Sequence, residues 1–151
     1  MKRLFSALLI CLVAVAASAQ SKFFQTCENL PDVTTVYISK AMLQFAGSAN
    51  FADCDVNISS LASKLDGIEI VNADGKNVKR LKDLAKQFTT APGAESLMRI
   101  KDNGETVNMF LRKLDGKRNE FVLLADQADQ FSVIILTGTI TMDEVIAAVK
   151  K

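Results

Sequence analysis

The chain has 151 residues, 18 Lys and Arg against 17 Asp and Glu, a formal net charge of +1, no histidine, no tryptophan and three cysteines. A nearly neutral chain lacks the electrostatic footprint of a nucleic-acid binder, and without histidine it cannot build a Ser-His-Asp triad, a Cys-His pair or an HExxH zinc helix. The length suits one domain with a real core and not comfortably two.

The N-terminus, MKRLFSALLICLVAVAASAQ, places Lys2 and Arg3 before an apolar run over 4–17, with small residues Ala17 and Ala19 flanking Ser18. This is the pattern of a secretory signal peptide with an Ala-x-Ala cleavage site. Residues 1–19 are expected to be removed, leaving 151 − 19 = 132 residues from Gln20 and a charge balance of 16 − 17 = −1. The run is too short to span a bilayer and no second one follows. The expectation is therefore an exported protein, periplasmic or extracellular, that is not membrane-spanning. Cys11 follows Ile10, where lipid attachment requires a small residue, so lipid anchoring is not expected.

Cys27 and Cys54 remain after cleavage. In an exported chain the first expectation is a structural disulfide. It would close a loop of 28 residues, counting both cysteines, and contribute about 3–4 kcal/mol. An inert unpaired state and a redox pair are the alternatives, because spacing alone does not show that the sulfurs meet.

Residues 20–30, QSKFFQTCENL, read as a mobile segment ahead of a single domain over 31–151, with Phe23 and Phe24 expected to dock on that domain. Pro31 and Asp32 break the chain, and TTVYIS (34–39) is a β-branched and aromatic strand. Ser39 caps a short helix, KAMLQFAG, ending at Gly47. A loop, SANFADCDVN, leads to a second short helix from Ile58 with Leu61 and Leu65 on one face. Gly67, in the first of two KLDG tetrapeptides, is expected to stop that helix in a left-handed conformation before the strand IEIV. After the turn NADGKNV, the residues Val78, Leu81, Leu84, Ala85 and Phe88 recur at helical spacing over 77–88. The opposite face carries Lys79, Arg80, Lys82, Asp83 and Lys86. TTAPG ends this helix.

The second half reads as an antiparallel meander of four strands, LMRIK, ETVNMFLRK, NEFVLLA and FSVIILTG, joined by short polar turns. Asn103 and Gly104 as a two-residue turn place Ile100 opposite Val107 and Met98 opposite Met109. The second KLDG (113–116) serves a hairpin whose loop length decides the faces of the next strand. VIIL (133–136) is apolar on both parities, as expected of a central strand covered on both sides. Thr141 and Glu144, in TMDE, form a capping box for a last helix.

The chain has no Walker loop, no dinucleotide glycine fingerprint and no SxxK nucleophile. DCDVN (53–57) opens like a calcium loop, but Ile58 and Lys64 stand where that loop needs Gly and Glu, so it reads as a polar loop and no metal or cofactor is expected. Glu120 with Asp126 or Asp129 is a candidate acid pair for hydrolysis, against the plainer reading of turn aspartates. Lys76, Lys79, Arg80, Lys82 and Lys86 form the candidate contact surface for an acidic envelope partner or an anionic surface. Phe110, Phe121 and Leu123 are candidates for an open apolar sheet face that carries a small ligand.

The strings YISKAML, KLDGIEIV, SLMRIKDNGETV and FVLLADQADQFSVIILTGTI resemble the domain of unknown function 4252 family, small exported proteins of Bacteroidetes, over roughly residues 27–146. The resemblance implies an envelope location and an α+β domain, and it supplies no catalytic residue. Many members look lipid-anchored, a pattern from which Ile10 and Cys11 depart. Family genes often lie near regulators of extracytoplasmic stress, which implies a role in envelope sensing. The resulting expectation is an α+β domain with a largely antiparallel sheet, a C-terminal four-strand meander and helices mainly on one face. Its function is read as a non-catalytic binding module, with a redox or hydrolytic enzyme or a small-ligand carrier as alternatives.

Overall fold

The computed structural model describes residues 20–48 and 61–149. The signal peptide expected over 1–19, Cys54, the DCDVN loop and the start of the helix expected from Ile58 lie outside the described residues. In chain order the elements are α1 (Lys22–Glu28), β1 (Val33–Ser39), α2 (Lys40–Ser48), β2 (Leu65–Asp74), a 3-10 turn (Gly75–Asn77), α3 (Val78–Thr90), β3 (Ala94–Asp102), β4 (Glu105–Lys113), β5 (Asn119–Asp126), β6 (Gln130–Gly138) and α4 (Met142–Val149). The six strands make one sheet in the order β1-β2-β6-β5-β4-β3, and every pairing is antiparallel. The chain is thus α+β with β3 to β6 as a meander.

Alternation along the strands sends side chains to two faces. Val71, Ala73, Val122, Leu124, Val133 and Ile135 bury themselves on the first face with α1 and α3. The second face holds a smaller cluster of Leu43, Ala62, Leu65, Leu111, Phe121 and Ile140, joined by Met142 and Val145 of α4. Helices are expected mainly on one face; α1 and α3 cover the first face, and α2 and α4 pack at one end of the other. VIIL lies in β6, the third of six strands, with Val133 and Ile135 buried on the first face and Leu136 packed on the second.

Residues 20–30 depart from the mobile segment expected of them. Ser21 caps α1, its Oγ accepting the Phe24 N–H at 3.1 Å, and the helix buries Phe23, Phe24 and Cys27. Phe23 meets Phe88 of α3 edge to face at 4.8 Å between ring centroids. Three apolar side chains on one turn and a half of helix are enough to bind a short segment that would be unstable alone. The domain therefore begins before residue 31, and the aromatic pair docks on its own domain as expected.

Turn chemistry explains the hairpins. Asn103 and Gly104 both have positive φ, 46° and 85°, as a type I′ turn requires. Ile100 faces Val107 and Met98 faces Met109. In the second KLDG, Gly116 has φ 67°, Leu114 N–H donates to Arg118 O at 2.9 Å, and Lys113 pairs with Asn119, so residues 115–117 form the tip. Thr141 and Glu144 close the capping box at 2.9 and 3.4 Å.

The first KLDG is a correction. Gly67 lies inside β2 with no positive φ among the glycines that have one, and the turn ends earlier, where Lys64 N–H donates to Leu61 O at 3.0 Å. The pairing of β2 with β6 is irregular between Leu65 and Gly67. Glycine is needed there for close approach: a Cβ on Gly67 would lie 3.2 Å from Tyr37 Cε2. Gly138 of β6 is tighter still, because a Cβ would overlap the Lys64 carbonyl oxygen and lie 2.8 Å from Leu65 Cα. That carbonyl accepts Thr139 N–H at 2.9 Å, locking the strand ends together.

Two glycine substitutions separate these contacts. Gly138→Ala meets rigid backbone and is expected to lose about 3 kcal/mol in urea unfolding, whereas Gly67→Ala meets a ring that can shift and should lose about 1 kcal/mol. Equal losses would show that the Gly138 contact is not the tighter one.

Candidate functional site

Two regions stand out, one on each face of the sheet. On the first face, near the start of α1, lie Glu69 and Glu120, the two buried charged side chains among the described residues at 6% and 5% exposure. Glu69 is set by β2 and Glu120 by β5, and β6 runs between them. Ser21 donates to Glu69 through both its N–H, at 2.6 Å, and its Oγ, at 2.5 Å. Glu69 thus ties α1 to the sheet while Ser21 Oγ caps the helix. Arg112 Nη2 stands 2.9 Å from Glu120 Oε1, yet the alignment leaves Glu120 Oε1 and Arg112 Nε buried without a well-formed hydrogen bond. A cavity of about 170 Å³ is lined by these acids together with Gln20, Ser21, Tyr37 and Thr137. At its rim Asp66 pairs with Arg118 at 2.9 Å and with Lys40 at 3.4 Å.

The negative charge of Glu69 pervades this region. Burial pushes the Glu120 carboxyl above its ordinary value; Arg112 pulls it back, and Glu69 adds to the rise. Burial and then Glu69 push the Cys27 thiol up to about 11. Tyr37 is raised by burial, then by Glu69 and Asp66.

The second face carries a row of apolar side chains across all six strands. Val36 pairs with Ile70, Ile70 with Ile134, Ile134 with Leu123, Leu123 with Met109 and Met109 with Met98. The two ends of the row are open, Val36 at 42% and Met98 at 38% exposure, and Ile100 beside Met98 is at 50%. In the middle, Met109, Phe121, Leu123, Ile134 and Leu136 line a wholly apolar hollow of about 220 Å³.

The structure sorts the candidates raised by the sequence. Phe121 and Leu123 share the open face, whereas Phe110 packs on the helical face; the register of the second KLDG hairpin decides this. Glu120 does not sit with Asp126. They lie six residues apart on β5, about 20 Å of strand, and Asp126 is occupied by Lys82 at 2.7 Å. The buried acid near Glu120 is Glu69, which drew no notice in the sequence because IEIV reads as strand and an acid there reads as solvent-facing. Cys27 is a fully buried free thiol, with a raised pKa opposite to that of a reactive cysteine. On α3, Lys82 and Lys86 pair with Asp126 and Asp83, each at 2.7 Å, and Lys76 lies 3.8 Å from Asp32. Lys79 and Arg80 are exposed and make no ion pair among the described residues. No group of three or more acids or cysteines among the described residues is placed to hold a metal ion, and no described helix is long and apolar enough to cross a membrane.

The titration shifts carry two expectations. A carboxyl whose folded pKa is raised costs nothing while both states are protonated. The folded state is penalised once pH climbs past the ordinary carboxylate value, because the unfolded chain releases its proton first. Thermal melts of Glu120→Gln against the parent should therefore shift in favour of the variant between pH 4 and pH 7; a difference independent of pH would remove the burial effect. Cys27 should resist a thiol reagent at pH 8 in the folded chain and react once the chain is unfolded, and rapid native labelling would contradict its burial.

No curated protein matches the chain. Among solved structures it resembles a Pseudomonas aeruginosa protein of unknown function, PA94, at 12% identity and a TM-score of 0.35, over 79% of this chain and 76% of that one; so low a score carries no argument. The family described as domain of unknown function DUF4252 matches residues 25–148. With that span covering most of the chain, this protein belongs to the DUF4252 family.

Proposed function

We propose that this chain is an exported, non-catalytic binding module of the cell envelope, and that it holds a polypeptide partner against the open apolar face of its sheet. The observation that carries this reading is the row from Val36 to Met98, apolar on every strand and exposed at both ends. Water-exposed apolar surface in a continuous patch marks a contact site. Six strands at about 4.8 Å spacing make the row about 24 Å long, the length of about 16 residues of helix. The hollow at its centre, about 220 Å³, is below the roughly 300–1,000 Å³ of small-molecule sites. It suits one large side chain of a partner better than a carried ligand. Export rests on the leader sequence and its Ala-x-Ala site.

A second reading places the contact on Lys79 and Arg80 of α3, which make no ion pair among the described residues. The two make opposite demands of salt: an ionic contact weakens as salt rises, whereas an apolar one does not.

Capture on tagged mature protein from envelope fractions, at low and high salt, distinguishes them. A protein retained by the parent should be retained at least 10-fold less by Leu123→Lys, and equally by Lys79→Glu with Arg80→Glu and Lys86→Glu. Retention that survives Leu123→Lys but disappears with charge reversal or high salt would transfer the contact to α3 and overturn the apolar face.

A further inference from the structure

Among the described residues the sheet ends in two outer strands, β1 and β3, and the outer side of such a strand presents backbone N–H and C=O groups that another chain can extend. The two edges are built differently. β3 carries four charges, Glu95, Arg99, Lys101 and Asp102, and its pairing with β4 is interrupted by a bulge between Ser96 and Met98. Charges and bulges are the devices by which sheet edges avoid pairing. β1 has neither: VTTVYIS contains no charge, no proline and no glycine, and it pairs with β2 from Val33 to Ser39 without a shift of register. Its β-branched and aromatic side chains favour a further strand beside it. Val36, where the apolar row ends, is 42% exposed on this edge.

We propose that β1 pairs antiparallel with β1 of a second copy, about a two-fold axis through Val36, so that the two sheets join into one. Only that register engages the whole strand: Val36 meets the partner's Val36, Thr35 the partner's Tyr37, Thr34 the partner's Ile38 and Val33 the partner's Ser39. Directly opposed residues share a face. Thr34, Val36 and Ile38 lie on the apolar face, through their pairing with Asn72, Ile70 and Ile68, so Val36 is covered and the apolar rows of the two copies run on into one another. Charge fixes the direction. Asp32 precedes the strand and Lys40 follows it, so antiparallel pairing brings Asp32 to the partner's Lys40 at both ends, whereas parallel pairing would set like charges together. Asp32 and Lys40 are available for this, with side chains 71% and 54% exposed and ion pairs within the chain as long as 3.8 and 3.4 Å. A two-fold contact uses the same patch on both copies. It consumes both β1 edges and leaves β3 outermost, so assembly stops at two. About 24 Å of strand is a small interface, and the dimer is expected to depend on concentration. The contact lies on the edge of the sheet and does not depend on the partner proposed for its face.

Sedimentation velocity of the chain from Gln20 onward should show its mass doubling between about 5 and about 500 µM, with nothing larger. Val36→Lys sets two ammonium groups against each other at the axis, and Val36→Glu sets two carboxylates there. Each variant, verified as folded by circular dichroism, should weaken the dimer at least about 10-fold, and an equimolar mixture of the two should restore it. Rescue by mixing requires residue 36 to face itself, which no other register provides. Met98→Lys on the β3 edge and Leu123→Lys in the middle of the apolar face should leave the dimer unchanged.

Hydrogen exchange reads the same contact in the parent chain without any substitution. Peptides covering 33–39 should exchange at least about 10-fold more slowly at about 500 µM than at about 5 µM, and those covering 94–102 should not change. A chain that stays monomeric at about 500 µM overturns the proposal. So does a dimer that Met98→Lys or Leu123→Lys dissociates while both Val36 variants retain it, a mixture of the folded Val36 variants that stays monomeric, or growth beyond two copies. None of these outcomes bears on the capture experiment with Leu123→Lys, which tests the apolar face by itself.

Discussion

The pairing of β2 with β6 is the constraint on which the rest of the structure depends. It runs from Leu65 opposite Gly138 to Asp74 opposite Gln130, joining the N-terminal hairpin of β1 and β2 to the C-terminal meander. Such a long-range contact closes a large loop before it returns any stabilisation, so its register must be enforced. Val71 against Val133 and Ile70 against Ile134 enforce it in the middle. Gly138 against the Lys64 carbonyl enforces it at the end. A slip of one residue would exchange the two faces, placing Glu69 on the apolar side and Ile70 under α1.

Both candidate regions follow from that register. With β6 between β2 and β5, Glu69 and Glu120 lie on either side of one strand and point to the same face. Burying two carboxylates is expensive unless each finds donors or a counter-charge. Glu69 finds Ser21 and thereby anchors α1; Glu120 finds Arg112 incompletely. The opposite parity of the same strands aligns Ile70, Ile134 and Leu123 in the apolar row. One sheet thus presents a charged cavity under its helices and an open apolar surface behind them.

Much of the fold was legible because its signals are local. The Asn103-Gly104 turn, the Thr141 and Glu144 capping box and the α3 stripe each declare themselves within a few residues. Local reasoning failed where a distant group decides. Gly67 looks like a helix stop, yet it serves the Tyr37 ring above it. QSKFFQTCENL looks mobile because a short helix has little stability alone, and its docking depends on Phe88 and Glu69, many residues away. Glu69 looks solvent-facing within IEIV, and it is buried because Ser21 supplies its donors. Asp126 looked available to Glu120, but strand geometry separates them and Lys82 occupies it.

By itself the sequence determined the α+β class, the order of the strands in the meander, the caps and the hairpin turn at Asn103, all set by periodicity and turn chemistry over short spans. Only the tertiary structure decided which parity of each strand meets the helices, that Phe110 and Phe121 part company, and that two acids distant in the chain share one cavity. Those outcomes depend on the β2–β6 register and on the loop length at Gly116, where a change of one residue reverses a face without altering any local pattern.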